Sequence, residues 1–251
     1  MVSTEKTILV TGGSRGIGRA VAILAGRRGW SVGVNYAANE KAAQDTVLAV
    51  HKAGGLAIAI KGDVAIEADV IAMFDATEKA FGKLDGLVNN AGVVAPTADL
   101  ADMPLERLKR LFDTNILGSV LCAREAARRL STRRGGKGGG IVNLSSVAAR
   151  LGSPNLFVDY ATSKGAIDTL TLGLSKELGP EGIRVNAVRP GIIETDIHAS
   201  AGEPDRAERL GKTAPLGRAG TAEEVAEAII WLLDDASSYV NGALLDVAGG
   251  R

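Results

Sequence analysis

The sequence contains few of the residues that mark several protein classes. Cys122 is the single cysteine among 251 residues, so no disulfide can form within the chain, and a reducing cytoplasm is the expected location. The two histidines and this cysteine show no metal-ligand spacing, and we expect no metal site. Aromatic residues make up only 4% of the chain, which predicts a core of Ala, Val, Ile and Leu.

An excess of charge is also missing. The 29 Lys and Arg residues balance 29 Asp and Glu residues, whereas proteins that bind nucleic acid through bulk electrostatics carry a basic excess. Nucleic acid is therefore not an expected partner. No window of about 18 residues is apolar without a charge, so we expect no membrane-spanning helix. The first ten residues lack the apolar core of a signal peptide.

The chain alternates between short apolar runs and longer amphipathic runs, which predicts strands alternating with helices. Because the strands are continuously apolar, we expect an α/β fold with a parallel sheet covered by helices on both faces. The predicted strands are 7–10, 31–36, 56–60, 85–88, 140–144, 183–188 and 243–247. The predicted helices are 16–28, 39–53, 66–81, 104–130, 155–178 and 222–233.

A glycine-rich turn follows the first predicted strand. Residues 11–18 read TGGSRGIG, with the spacing G-x-x-x-G-x-G, and they lead directly into a predicted helix. Glycines let the backbone approach a ligand closely, and a helix N-terminus offers unpaired N–H groups and a positive dipole end. The turn therefore predicts a pyrophosphate site, the alternative being a merely flexible glycine turn.

The end of the second predicted strand bears on the choice of cofactor. A site for NAD usually carries an acid there that binds the ribose 2′-hydroxyl, but here the first acid is Glu40. Arg15 in the glycine turn can pair with a 2′-phosphate, assisted by neutral donors such as Asn35 or Asn39. NADP(H) is therefore favoured, with NAD(H) left open. The alternative for Arg15 is an exposed, solubilising charge.

Tyr160 and Lys164 are four residues apart in a predicted helix, so their side chains share a face. A nearby ammonium lowers the tyrosine pKa from about 10, which suits proton exchange with a substrate oxygen. Ser146 follows the fifth predicted strand and can bond that oxygen. The alternatives are an ordinary helix carrying one Tyr and one Lys, and a serine that caps a turn.

These signals follow one another in a fixed order: the turn at 11–18, Asn89-Asn90-Ala91-Gly92 after the fourth strand, Ser146, and Tyr160 with Lys164. The ordered set resembles the short-chain dehydrogenase/reductase family over essentially the whole chain. The resemblance implies a single Rossmann-type domain over 1–251, a doubly wound parallel sheet of about seven strands, and a homotetramer. Residues 192–214 are polar and predict a helical lid over the substrate.

The resemblance also implies residue roles. Tyr160 matches the catalytic acid/base, Lys164 the lysine that lowers its pKa and binds the nicotinamide ribose, Ser146 the serine that orients the reacting oxygen, and Asn115 the asparagine that supports a proton-relay water. Asp63 and Val64 match the adenine contacts, Asn89, Ala91 and Gly92 the adenosine and ribose side, and Pro190, Gly191 and Thr195 the carboxamide motif. The full cofactor-binding set is Gly12, Ser14, Arg15, Gly16, Ile17, Gly18, Asn35, Asp63, Val64, Asn89, Ala91, Gly92, Tyr160, Lys164, Pro190, Gly191, Ile193 and Thr195.

The implied activity is that of an NADP(H)-dependent oxidoreductase which interconverts a carbonyl and a secondary alcohol of a small molecule. The sequence looks nearest to the sugar dehydrogenase and 3-oxoacyl-carrier-protein reductase groups. The second group needs a basic docking patch near the site, which five arginines of this chain could supply. The alternative interpretation of these arginines is a solvated basic helix face. A non-catalytic nucleotide-sensing protein on the same fold is the alternative function. The five arginines of the possible docking patch are Arg124, Arg128, Arg129, Arg133 and Arg134.

Overall fold

A computed structural model of the chain describes residues 6–195, 202–203 and 205–251. Seven strands form one sheet in the order β3-β2-β1-β4-β5-β6-β7, and each neighbouring pair is parallel. This confirms the predicted parallel sheet. The strands are β1 (Thr7–Val10), β2 (Ser31–Tyr36), β3 (Leu56–Lys61), β4 (Gly86–Asn89), β5 (Gly139–Leu144), β6 (Ile183–Pro190) and β7 (Leu244–Val247).

Helices cover both faces of the sheet because successive strand residues point to opposite sides. In β1, Ile8 and Val10 belong to one apolar core and Leu9 belongs to the other. Helices α1, α2 and α9 contribute to the first core, and α3, α5 and α7 contribute to the second. The α-helices are α1 (Gly16–Arg27), α2 (Glu40–Lys52), α3 (Glu67–Phe81), α4 (Leu105–Phe112), α5 (Gly118–Leu130), α6 (Ala148–Leu151), α7 (Val158–Leu178), α8 (Arg206–Gly211) and α9 (Ala222–Leu233).

The helical region predicted over 104–130 is confirmed, since it runs without a break from Leu105 to Leu130, but it contains a π-helical turn that was not predicted. A π-helical segment, Asp113–Leu117, joins α4 to α5. Its wider turn directs Asn115 into the protein, where the Asn115 amide bonds both backbone groups of Val93. Single π-helical turns of this kind are frequent at functional sites.

The predicted helix over 155–178 begins later, at Val158, and the short helix α6 before it was not predicted. Between them, Ser153 and Asn155 adopt positive φ angles of 47° and 58°, a conformation that a helix does not contain. The predicted lid is described only in part, since 196–201 and 204 lie outside the described residues. Its described portion includes the six-residue helix α8.

All the predicted motifs lie at one edge of the sheet, where the parallel strands end. The glycine turn follows β1, Asn90 to Gly92 follow β4, and Ser145 and Ser146 follow β5. Open parallel sheets bind ligands at this carboxyl edge. Among the residues that the structure describes, no helix combines the length and apolar character needed to cross a membrane.

Candidate active site

The turn after β1 forms a tight cradle at the start of α1. Gly12 and Gly16 have φ angles of 60° and 54°, which glycine adopts without strain. The Gly12 N–H donates to Asn35 Oδ1 at 3.0 Å, which fixes the turn against β2. The first N–H groups of a helix have no partner within the helix. The cradle therefore fits the pyrophosphate of a dinucleotide.

Thr11 and Asn90 hold this turn against the one after β4, a role that the sequence did not reveal. Thr11 Oγ1 accepts hydrogen bonds from the N–H groups of Asn90 and Ala91, both at 2.9 Å. Asn90 Nδ2 donates to the carbonyls of Thr11 at 2.8 Å and Gly12 at 3.1 Å. Both residues stand inside the predicted motifs, and that position was the only available signal.

We expect Gly18→Ala to weaken dinucleotide binding by at least about tenfold, or about 1.4 kcal/mol. A Cβ at this position would lie 2.5 Å from Gly12 O and 2.6 Å from Asn90 Nδ2, so the turn must shift. Calorimetric titration with NADPH measures the effect. Gly173→Ala is the control, because a Cβ there meets nothing within 4 Å. Unchanged affinity in Gly18→Ala would contradict the cradle assignment.

The residues expected around a 2′-phosphate differ in their availability. Arg15 is exposed, makes no ion pair with a described residue, and lines a cleft of about 480 Å³ together with Ser14, Gly16 and Thr195. The buried Asn35 instead supports the turn, since its Nδ2 donates to the carbonyls of Gly62 and Ile60. Its expected role as a phosphate donor is therefore wrong.

Asn39 is the other neutral donor expected near that phosphate. Its Oδ1 accepts the N–H of Ala42 at 3.0 Å and so caps α2. An N-cap asparagine satisfies one of the free N–H groups at a helix start. The side chain thus has a structural role that its sequence position alone did not distinguish from ligand binding.

The predicted catalytic side chains converge beside the glycine turn. On α7, Lys164 Nζ lies 5.5 Å from the centre of the Tyr160 ring and donates to Leu144 O at 2.6 Å. Ser146 lies near the Tyr160 hydroxyl, whose pKa it lowers, and its Oγ accepts the Ala148 N–H at 3.1 Å. A phenol, an ammonium and an alcohol thus meet at the carboxyl edge, an arrangement that can exchange a proton with a bound oxygen.

Burial has the largest effect on the pKa values of Tyr160 and Lys164. It raises the pKa of Tyr160 to about 12, although the hydrogen bond to Ser146 acts in the opposite direction. Burial also lowers the pKa of Lys164 to about 8, against the charge of Asp168. Burial therefore outweighs the lowering of the tyrosine pKa that the lysine is expected to cause. Tyr160 keeps its proton at neutral pH and is suited to donate it.

Asn115 lies beside this group. Its Nδ2 donates to Val93 O at 2.9 Å and to Ser163 Oγ at 3.2 Å. The backbone carbonyl of Asn115 accepts a hydrogen bond from Ser119 Oγ at 2.9 Å. A Cβ on Gly92 would lie 3.4 Å from Asn115 Oδ1 and 3.7 Å from Lys164 Nζ, so the turn after β4 closes onto both. The role of Asn115 in a proton relay stays a prediction.

Three residues expected near the adenosine have different surroundings. Asn89 is buried, and its Nδ2 donates to Ser119 O at 2.9 Å and Asn143 Oδ1 at 3.1 Å, which links β4 to α5 and β5. The Asn89 side chain is thus engaged within the protein, and the contact of this residue with the adenosine side stays a prediction. Asp63 is exposed and its Oδ1 accepts the Ala65 N–H, whereas Val64 is buried.

The residues after β6 approach the glycine turn. Gly191 lies close to β7, since its N–H donates to Val247 O at 3.0 Å, and Ile193 is buried and forms a bridge with Gly220. The Thr195 methyl lies 3.6 Å from the position that a Cβ on Gly16 would take. Thr195 thus reaches the cradle from the opposite side. Pro190 ends β6, and Ile17 packs against the first core.

Two buried ion pairs next to the catalytic side chains were not predicted. Asp159, adjacent to Tyr160, pairs with Arg107 at 2.8 Å, and Asp168, one turn after Lys164, pairs with Arg189 at 2.8 Å. The partners are 52 and 21 residues apart in the sequence, and no local pattern connects charges at such separations.

Most arginines of the predicted basic patch lie away from the mouth of the site. Arg129 pairs with three acids, Arg124 with Glu67, and Arg133 with Glu181. The end of α5 and the loop after it precede β5, so they lie at the edge of the sheet opposite Ser146. This placement argues against a docking patch beside the site for the other four arginines, whereas Arg124 lies in the middle of α5. Among the described residues, no group of three or more His, Cys, Asp or Glu side chains could hold a metal ion.

Comparison with known proteins consistently finds proteins named as reductases, dehydrogenases or oxidoreductases. A family model described as Enoyl-(Acyl carrier protein) reductase matches residues 12–251. The chain is 52% identical over 243 residues to Uncharacterized oxidoreductase YgfF of Escherichia coli (strain K12), covering 97% of this chain and 98% of that one. It is 40% identical to 3beta-hydroxysteroid dehydrogenase 1 of Eggerthella lenta, covering 98% and 93%. It is 36% identical to Glucose 1-dehydrogenase 2 of Bacillus subtilis (strain 168), covering 98% and 95%.

Solved structures that are similar to this chain are also named as short-chain dehydrogenases. A short-chain type dehydrogenase/reductase from Mycobacterium marinum superposes with a TM-score of 0.90 at 36% identity, covering 98% of this chain and 94% of that one. A short-chain dehydrogenase from Burkholderia cenocepacia J2315 in complex with NADP gives a TM-score of 0.88 at 34% identity, covering 98% and 97%.

Proposed function

The chain belongs to the short-chain dehydrogenase/reductase family of oxidoreductases, and on that premise we propose that it is an NADP(H)-dependent enzyme that interconverts a carbonyl and a secondary alcohol on a small molecule. The convergence of Ser146, Tyr160 and Lys164 beside the glycine cradle is the observation that carries the proposal. We further propose that the whole chain forms one catalytic domain, with the segment at about 192–214 as its lid.

The side chains divide the acid–base work between them. Ser146 holds the substrate oxygen, Tyr160 gives that oxygen its proton, and the ammonium of Lys164 stabilises the tyrosinate left behind. The raised pKa of Tyr160 keeps its proton ready for donation during reduction, and the reverse step returns that proton to the tyrosine. When bound, the nicotinamide supplies the hydride. The glycine turn of α1 holds the pyrophosphate, and Pro190, Gly191 and Thr195 hold the nicotinamide end.

The preference for NADP(H) rests on Arg15. Its guanidinium is exposed and unpaired among the described residues, and it lines the cleft beside the cradle. The NADP-bound structure from Burkholderia cenocepacia J2315 supports the same cofactor by similarity. Use of NAD(H) stays open, because Ala37 and Ala38 put no fixed charge after β2.

We expect Arg15→Gln to raise the KM for NADPH at least about tenfold and to change the KM for NADH by less than about twofold. A charge-assisted hydrogen bond to phosphate is lost only with NADPH. Steady-state rates with both cofactors measure the ratio. Arg27→Gln, exposed near the other end of α1, is the control. Equal losses with both cofactors would contradict phosphate recognition by Arg15.

The test of the function is a panel of carbonyls and alcohols followed at the absorbance band of NADPH, with NADH in parallel. Glucose and an acetoacetyl thioester separate the sugar and acyl alternatives, and the steroid and glucose names of two relatives justify including both classes. The three acids that pair with Arg129 disfavour docking of an acyl carrier through that residue. Tight NADPH binding without any turnover would instead support a nucleotide sensor.

We also propose that the protein forms a homotetramer. Leu117 and Val120 on the α5 side and Leu172 on α7 are exposed apolar residues. A groove of about 360 Å³ between the two helices, lined by Val120, Leu170 and Leu174, supports contact there. Light scattering of the purified protein measures the assembly. The buried, solitary Cys122 supports a cytoplasmic location.

A further inference from the structure

A chain of opposite charges runs from the catalytic lysine to the far edge of the sheet. Asp168 lies one helical turn beyond Lys164, and Arg189 donates to it through Nε and Nη2, the latter at 2.8 Å. The second side of Arg189 faces Asp246 at 3.6 Å, and Asp246 contacts Arg150 at 3.0 Å. Charges of alternating sign therefore extend across α7, β6, β7 and α6.

The ion pair between Asp168 and Arg189 is shielded from water, so its charges act strongly on neighbouring groups. The side chains of Asp168 and Arg189 are each 13% exposed. A carboxylate in such surroundings acts strongly on a neighbouring ammonium, because little solvent screens the interaction. Asp246 offsets part of the charge of Arg189, so the arginine fixes the carboxylate and weakens its effect on Lys164 without cancelling it.

The pair also joins two elements that carry the proposed site. Asp168 belongs to α7, which holds Tyr160 and Lys164, and Arg189 directly precedes Pro190 and Gly191 at the end of β6. An ion pair that only stabilised the fold would serve equally well at any position along these elements. This one instead lies one turn from the ammonium, on the same side of the helix.

We propose that Asp168, fixed by Arg189, is a positioning residue whose carboxylate keeps Lys164 charged for proton transfer. The role rests on the proposed function, in which the lysine ammonium stabilises a tyrosinate. Two titratable side chains on its own helix face Lys164, namely Tyr160 and Asp168, and the charge of Arg189 on β6 lies directly behind Asp168. The groups that face it from β5 and the π-helical segment, the Leu144 carbonyl and the Asn115 amide, are uncharged.

Two variants with opposite expected effects test the role. Asp168→Asn removes the charge that favours the ammonium, so the pKa of Lys164 falls. Arg189→Gln removes a competing cation, so the pKa of Lys164 rises from its value of about 8. If reduction requires charged Lys164, the alkaline limb of the kcat profile moves to lower pH in the first variant and to higher pH in the second. If the ion pair were merely structural, both variants would lose kcat by a similar factor at every pH.

The expected shift in Asp168→Asn is about one pH unit. From a starting pKa of about 8, this shift leaves about fivefold less charged lysine at pH 8 and nearly the wild-type fraction at pH 6. Asp168→Glu retains the carboxylate and should restore the profile. Asp75→Asn, on exposed α3, is the matched control and should leave the profile unchanged.

Titration of the lysine Nζ by ¹⁵N NMR in the full-length protein gives a second readout that needs no turnover. It also separates the two proposals, because a protein without oxidoreductase activity would still report the pKa of Lys164. Shifts of opposite sign in Asp168→Asn and Arg189→Gln support the inference. An unchanged Lys164 titration in folded Asp168→Asn would overturn it, as would shifts of the same sign in the two variants. If Asp168→Asn does not fold, the direction of the shift in Arg189→Gln decides.

Discussion

Tyr160→Phe is expected to lower kcat for carbonyl reduction by about 10³-fold or more while NADPH affinity stays within about twofold. The substitution removes only the phenol oxygen, which is the proton donor of the proposed reaction. The ring stays between Ser146 and Lys164, so the cradle of the dinucleotide is untouched. Single-turnover rates measure the chemical step, and calorimetric titration measures binding.

The matched control for this experiment is Tyr239→Phe. Tyr239 is fully exposed, so loss of its hydroxyl should leave both rate and affinity unchanged. Near-normal turnover in Tyr160→Phe would refute the proton-transfer role. A loss of NADPH binding parallel to the loss of rate would instead mean that the tyrosine acts mainly in holding the cofactor.

Arg107→Met is expected to lower the free energy of unfolding by about 3–5 kcal/mol. Its partner Asp159 has a fully buried side chain, which accepts hydrogen bonds from Arg107 Nε at 2.8 Å and Nη2 at 3.2 Å. Without the guanidinium, a buried carboxylate loses its counterion and most of its donors. The second Nη of Arg107 also donates to Pro96 O, so the loop after β4 loses its attachment to α7.

Urea unfolding at a fixed protein concentration measures this loss. Lys41→Met, which removes a solvent-exposed pair with Asp45, is the control and should cost less than about 0.5 kcal/mol. The double variant Arg107→Met with Asp159→Asn should recover part of the stability, because the unpaired charge is gone. A cost below about 1 kcal/mol in Arg107→Met would show that water or another donor replaces the arginine.

The sheet and the catalytic motif were predictable because both depend on local sequence patterns. Continuous apolar strands such as 7–10 imply a sheet covered on both faces, and the structure has it. The four-residue interval between Tyr160 and Lys164 places them on one helix face wherever the helix packs. The ordered motifs identified the family, which the comparisons confirm.

Features that depend on tertiary contacts were not predictable. Asn35 could be a ligand donor by its position after β2, yet the carbonyls of Gly62 and Ile60 take its amide hydrogens. The inserted π turn at Asp113–Leu117 leaves no trace in an amphipathic pattern. The titration of Tyr160 depends on how deeply α7 packs against β5, a property that a pair of residues in a motif does not encode.

The strand order reverses direction between β1 and β4, with evolutionary consequences. The first half of the chain runs outward to β3 and shapes the nucleotide cradle, while the second half runs outward to β7 and brings in Ser146, Tyr160 and Lys164. The hydrogen bonds of Thr11 and Asn90 join the two halves at the seam. Selection can thus alter those parts of the loops after β4, β5 and β6 that contact neither this seam nor the catalytic side chains, and so fit new substrates while inheriting the coenzyme cradle intact.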